Sequence, residues 1–255
     1  MAALDIHVFL CRKDNIGVLV HAEDGTTASI DAPDAASITA ALDEKGWSLS
    51  HILVTHHHGD HTAGNLELKQ KTGCRIIGPR AEAARIPGID VEVDDGDSFT
   101  LGGHPVDVIG TPGHTMGHIT YFLPNDRAAF VGDTLFVMGC GRVLEGNHEM
   151  MWHSLSRIAS LPGDTRIYCG HEYTVSNARF GLSIEPENAL LRHRLEEAEQ
   201  SLAQGRLTVP SRLDEELQTN VFLRPHNIGT RRRLGLGAVA DWRVFGELRE
   251  RKNKA

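Results

Sequence analysis

The sequence predicts a mixed α/β layered domain followed by a small helical domain. Three observations carry this. Over the first two thirds, short apolar runs rich in β-branched residues alternate with turns built from Gly, Pro and Asp. Helix signals fall between some of those runs, which suits strands laid first in hairpins and then alternating with helices. After about Tyr173 the strand pattern gives way to amphipathic helical spacing.

In chain order, strands are expected at Ile6–Leu10, Gly17–His21, Ala28–Asp31, His51–Thr55, Arg75–Gly78, Val106–Thr111, His118–Leu123, Ala128–Gly132 and Arg166–Cys169. Asp34–Lys45 reads as a helix, because Asp34 can cap its start and Gly46 ends it. Ala63–Lys71 and His148–Ala159 have helical spacing as well. Pro186–Gln204 is strongly amphipathic and stops at Gly205. A turn with Pro210 precedes a further helix-like run, L-D-E-E-L-Q, and Gly237–Lys252 is helical in character. The domains expected are residues 1–173 and 174–255.

With 255 residues, 40% of them hydrophobic, the chain can bury an aliphatic core. The net charge of −8 gives no general attraction to nucleic acid or an anionic membrane, so neither is expected as a partner. From Arg224 onward nine Lys/Arg face three Asp/Glu, a local reversal of that charge. The four cysteines, Cys11, Cys74, Cys140 and Cys169, are scattered without a CxxC pair, which suits a reducing compartment. No signal peptide or membrane-spanning run is read at the N-terminus or elsewhere, so a cytoplasmic monomer is expected.

The chemistry is concentrated in T-H-H-H-G-D-H, which follows the apolar strand His51–Thr55. His56 and His58 lie two apart and share a face of an extended segment. Asp60 and His61 are adjacent and diverge across the turn at Gly59. One segment can thus address two metals, and imidazole with carboxylate suits zinc, iron or manganese. Three later strand ends offer partners: His114 in T-P-G-H, Asp133 in F-V-G-D-T and His171 in Y-C-G-H-E-Y. Alone, each would be an ordinary turn His or capping Asp. Together they make seven donors, too many for one open catalytic metal. The natural partition is His56, His58 and His114 on one ion, Asp60, His61 and His171 on the other, and Asp133 bridging, an arrangement suited to two-metal hydrolysis.

T-H-H-H-G-D-H resembles the T-H-x-H-x-D-H signature of the metallo-β-lactamase superfamily, and His114, Asp133 and His171 follow in the order of that superfamily. The resemblance covers roughly residues 4–173 and implies an αβ/βα four-layer sandwich with the site at one edge. His57 falls at the variable position and receives no ligand role; His118 reads as structural or supporting. Within the superfamily, F-V-M-G-C-G-R is similar to the F-x-x-G-C-G segment, ending in Lys or Arg, of the glyoxalase II (hydroxyacylglutathione hydrolase) family. H-E-Y at 171–173, N-V-F-L-R at 220–224 and F-x-x-L-R-x-x-K at 245–252 resemble that family too, with Val221 where it has proline. The resemblance implies that Arg142, Tyr173, Arg249 and Lys252 contact glutathione. Leu144 stands where many members carry a tyrosine, so one hydrogen bond to glutathione is expected to be absent.

The activity implied is hydrolysis of S-D-lactoylglutathione to glutathione and D-lactate by a metal-bridging hydroxide. Asp60 and Asp133 would orient it, and two divalent ions, zinc first and iron or manganese otherwise, would be the cofactors. The cations Arg142, Arg249 and Lys252 suit a dianionic glutathione on a chain of opposite overall balance. The rivals are a persulfide dioxygenase of the same superfamily, against which the long helical C-terminal part counts, another hydrolase of the fold, and a noncatalytic metal-binding protein.

Overall fold

The computed structural model describes residues 3–255. Contacts divide the chain into two compact units: the chain up to Gly110 with Thr115–Gly132, and Thr111–His114 with Asp133–Ala255.

The first unit begins with strands β1 (Asp5–Cys11), β2 (Asn15–His21) and β3 (Thr27–Ile30), then helix α1 (Ala35–Lys45), β4 (His51–Leu53), a single turn α2 (Gly59–Thr62), α3 (Asn65–Thr72), β5 (Arg75–Pro79) and β6 (Val91–Val93). These strands form one sheet in sequence order, antiparallel from β1 to β3 and parallel from β3 to β6. Parallel neighbours need a crossover, and α1 and α3 supply two of them. Asp34 caps α1 by accepting from Ser37 N at 2.8 Å, and Gly46 closes it at φ 68. Leu19, Ile38, Ile52, Leu68 and Ile76 are fully buried between the helices and the sheet. The four strands β7 (Ser98–Leu101), β8 (His104–Gly110), β9 (Ile119–Leu123) and β10 (Ala128–Gly132) follow as an antiparallel meander. Tyr121 on β9 is fully buried and donates to the carbonyls of Val54 (2.9 Å) and Ile77 (3.3 Å), tying the meander to the first sheet.

The second unit holds the short hairpin β11 (Leu135–Phe136) and β12 (Gly139–Cys140), helix α4 (His148–Ala159) and strand β13 (Arg166–Cys169). Then come α5 (Thr174–Ile184), α6 (Ala189–Ala203), β14 (Ser211–Arg212), α7 (Leu213–Thr219), α8 (Ile228–Leu234) and α9 (Asp241–Asn253). Strand β14 pairs antiparallel with β13. Phe180, Phe222 and Phe245 form the aromatic centre of the helical part.

Several expected elements differ in extent. The helix expected at Ala63–Lys71 is broken at Gly64, whose N–H bonds Ala32 O at 2.8 Å. A Cβ there would lie 2.9 Å from Ala35 N, so the chain must turn aside with no side chain. The strand expected to end at Asp31 ends at Ile30, because Asp31 is left-handed at φ 57. The last helix starts at Asp241, after a loop, and not at Gly237. Helices α5 and α8 and strands β6, β7, β11, β12 and β14 were not anticipated. Among the described residues no helix is long and apolar enough to cross a membrane.

Candidate metal and substrate site

In the first unit, the end of β4 runs into Thr55, which is clamped by Asp31. Thr55 N donates to Asp31 Oδ1 at 2.7 Å and Thr55 Oγ1 to Oδ2 at 2.9 Å. His56 is fully buried; its Nδ1 lies 3.0 Å from Thr55 Oγ1 and its Nε2 3.1 Å from His58 Nδ1. Two imidazole nitrogens sharing a tetrahedral ion at about 2.1 Å each would stand roughly 3.4 Å apart, so this spacing suits a common metal. His61, on the α2 turn, donates from Nδ1 to Asp31 Oδ2 at 2.8 Å. That bond leaves Nε2 as the nitrogen available to a metal, and Asp60 Oδ2 stands 3.8 Å from it. Ligand atoms of Asp31, His56 and His61 all lie within 4.8 Å of one another. Asn15 donates to the Asp60 carbonyl at 3.1 Å and to its carboxylate at 3.4 Å, fixing the turn that carries it.

His57 and His118 have different surroundings. The backbone N–H and Nδ1 of His57 both reach Glu82 Oε2, at 2.7 and 2.8 Å, while Gly117 N donates to Glu82 Oε1 at 2.8 Å. The ring next to the paired histidines is therefore drawn to a buried carboxylate. His118, 1% exposed, stacks on His56 with centroids 4.9 Å apart.

In the second unit, Pro112 O accepts from Ser154 Oγ at 2.6 Å and Gly113 sits at φ 143 against Met151, so the turn before His114 requires glycine. His114 donates from Nδ1 to the Arg142 carbonyl at 2.8 Å and turns Nε2 toward Asp133 Oδ2, 3.4 Å away. His171 Nε2 stands 3.5 Å from the same oxygen. One carboxylate oxygen thus faces two imidazoles at the edge length of a shared coordination shell. All three side chains are nearly buried. Tyr173 stacks on His171 at 4.8 Å, nearly parallel, and meets Phe136 edge-on at 5.5 Å.

The remaining candidate substrate residues divide by exposure. Arg142 is exposed, and its carbonyl serves His114. Lys252 Nζ is tied to Ser176, 3.0 Å from the carbonyl and 2.7 Å from Oγ. Burial, helped by the nearby Arg249 charge, lowers its pKa. Arg249 is 4% exposed; its Nη1 donates to Cys140 O at 2.7 Å, its Nε to Asn253 Oδ1 at 3.1 Å, and its guanidinium lies over Phe222. Leu144 is exposed.

Asp31, Asn15 and Glu82 were not singled out in the sequence. A carboxylate ending a strand just before the histidine strand was the one available signal for Asp31.

The superfamily profile described as metallo-beta-lactamase matches residues 25–171, and that of the hydroxyacylglutathione hydrolase C-terminus matches residues 172–255. The chain is 52% identical over 254 residues to the hydroxyacylglutathione hydrolase of Rhizobium meliloti, covering 99% of each. It is 54% identical over 251 residues to that of Brucella anthropi, covering 98% of this chain and 96% of the relative. Among solved structures, ETHE1 from Myxococcus xanthus superposes with a TM-score of 0.70 at 24% identity, over 98% of this chain and 91% of the other. The fold is therefore that of the metallo-β-lactamases, with a helical C-terminal part.

Proposed function

Because the chain belongs to the hydroxyacylglutathione hydrolase family of the metallo-β-lactamase superfamily, we propose that it hydrolyses S-D-lactoylglutathione and related 2-hydroxyacyl-glutathiones to glutathione and the free hydroxy acid. This is the second step of methylglyoxal detoxification. The observation that carries the reading is the match of residues 172–255 to the C-terminal segment of that family. The same match weighs against a dioxygenase.

The donors fit divalent metal. They are imidazoles and carboxylates, five of the seven buried, and Asp133 stands 3.4 and 3.5 Å from the His114 and His171 nitrogens, separations that suit a shared ion. His56, His58 and His114 would hold one ion, Asp60, His61 and His171 the second, with Asp133 shared; zinc is the first candidate, then iron or manganese. When bound, such ions supply Lewis acidity and a water that is nucleophilic near neutral pH.

The chain's own groups do the rest. Asp60, whose side chain is 42% exposed and steadied by Asn15, can take up a proton and pass it to solvent. Asp133 is held between two histidines and orients the reacting centre. A thiolate leaving group has a pKa of about 8.5 and needs no strong acid to depart, which suits a site made of metal donors. Arg142, Arg249 and Lys252 give local positive charge for the glutathione carboxylates, and Tyr173 offers a phenol beside His171. Residues 1–173 would form the catalytic part and 174–255 the substrate-binding part of a cytoplasmic monomer.

The test is thiol release from S-D-lactoylglutathione with metal analysis on the same sample. Turnover with two metals per chain is the expected result. No turnover with both metals present would overturn the reading.

A further inference from the structure

The hairpin β11–β12 turns through Val137 and Met138, and Met138 is left-handed at φ 54. A bulky residue rarely adopts this conformation, and it persists only where the surroundings hold it. Here three side chains from the helical part do so. Glu216 on α7, fully buried, accepts from Met138 N at 2.8 Å. Asn220 donates to Gly139 O (2.9 Å), Phe136 O (3.3 Å) and Glu216 Oε2 (2.9 Å). Asn177 on α5 donates to Val137 O at 3.2 Å. The second oxygen of Glu216 is held by Arg194 Nη2 at 2.8 Å and Ser211 Oγ at 2.5 Å, which offsets its buried charge.

The ends of this hairpin adjoin the candidate residues Asp133 and Arg142. Gly141 N donates to Thr134 O at 3.2 Å, and Gly141 is packed so closely that a Cβ would stand 1.8 Å from Asp133 O. The next residue is Arg142, whose carbonyl sets the His114 ring. Arg249 grips the hairpin at Cys140 O. The placement of Asp133, His114 and Arg142 therefore depends on one strained turn, and that turn depends on a carboxylate over 70 residues further along the chain.

We propose that Glu216 is a positioning residue: by fixing the Met138 turn it sets Asp133 and His114 for metal and Arg142 for substrate. The helical part thus sets part of the metal site as well as contributing substrate contacts. This rests on the proposed function insofar as Asp133 and His114 hold metal.

The experiment compares the zinc-loaded wild type with Glu216→Gln, and with Asn177→Ala as a milder variant that loses only the bond to Val137 O. Three readouts are taken at a temperature where all are folded: zinc affinity by chelator competition, kcat and KM on S-D-lactoylglutathione, and amide exchange of residues 135–142 in the metal-free chain. Glu216→Gln should weaken zinc binding by about tenfold or more, lower kcat by a similar factor and speed exchange of the hairpin; Asn177→Ala should move all three in the same direction by less. A purely structural role would lower the melting temperature and leave zinc affinity and kcat unchanged. If Glu216→Gln does not fold, Asn177→Ala decides. Wild-type zinc affinity and exchange in the folded variants would overturn the proposal. A wild type that binds zinc without cleaving the thioester would overturn the function instead, while zinc affinity and exchange still judge Glu216.

Discussion

Asp31 and His61 are joined by a 2.8 Å hydrogen bond from the imidazole Nδ1 to a buried carboxylate oxygen. The same carboxylate takes the N–H and hydroxyl of Thr55, the residue before His56. One side chain thus orients a ring on the α2 turn and the start of the histidine run. Replacing Asp31 with Asn keeps a residue that tolerates φ 57 but removes the charge and one acceptor. Zinc affinity, read by chelator competition, should fall by about 10- to 100-fold, the range seen when a group supporting a ligand is lost. Unchanged affinity would remove Asp31 from the support of the site.

What could be read in advance follows from where the information lies. The candidate ligands announce themselves locally: four cluster in T-H-H-H-G-D-H behind an apolar strand, and His114, Asp133 and His171 each follow a glycine near the end of an apolar run. Their supports do not. Asp31 meets His61 across 30 positions, and Arg142 acts on His114 through its backbone carbonyl, which no side-chain pattern encodes. Helices α1 and α6 were legible from caps and amphipathic spacing. Helix α5, T-V-S-N-A-R-F-G-L-S-I, was not: its β-branched residues and Gly181 disfavour a helix locally, and burial of Ala178, Phe180 and Ile184 overrides them. Strands β11, β12 and β14 have two residues each, too short to show alternation. The buried position of Arg249 was hidden for a similar reason, since in sequence it is one cation in a basic tail.

Gly141 offers a steric test. A methyl group there would overlap the Asp133 carbonyl oxygen at 1.8 Å, with His114 Nδ1 3.5 Å away, and the obstructing atom is backbone, which yields little. Gly141→Ala should cost about 1–3 kcal/mol or more in stability by urea unfolding. It should also reduce bound metal below two per chain by elemental analysis. A stable protein with full metal content would show that Asp133 does not depend on this contact.

Lys252 separates binding from chemistry. Its ammonium lies near the end of α9, held by Ser176, and its proposed role is at a glutathione carboxylate and not at the reacting groups. Loss of one charge-assisted contact is worth about 1.5 kcal/mol, so Lys252→Ala should raise KM roughly tenfold and leave kcat nearly intact. An equal fall in kcat would place Lys252 in the chemistry, and an unchanged KM would remove it from the substrate site.

Asp90 gives a pH signature independent of the site. Its carboxylate accepts from Lys69 Nζ at 2.5 Å and from Ile76 N at 2.9 Å, and these bonds, the lysine's first, hold its pKa below the ordinary carboxylate value. The unfolded chain therefore binds a proton more readily than the folded one. By linkage the stabilisation is present above the ordinary carboxylate pKa, near 4, and is lost as pH falls through the lower folded value. The side chain is 31% exposed, so solvent screening keeps the ion-pair share below about 1 kcal/mol. Asp90→Asn should lower the urea midpoint at pH 7, and the difference from wild type should shrink toward pH 3. A difference that stayed constant over that range would mean that the loss comes from packing and not from the charge.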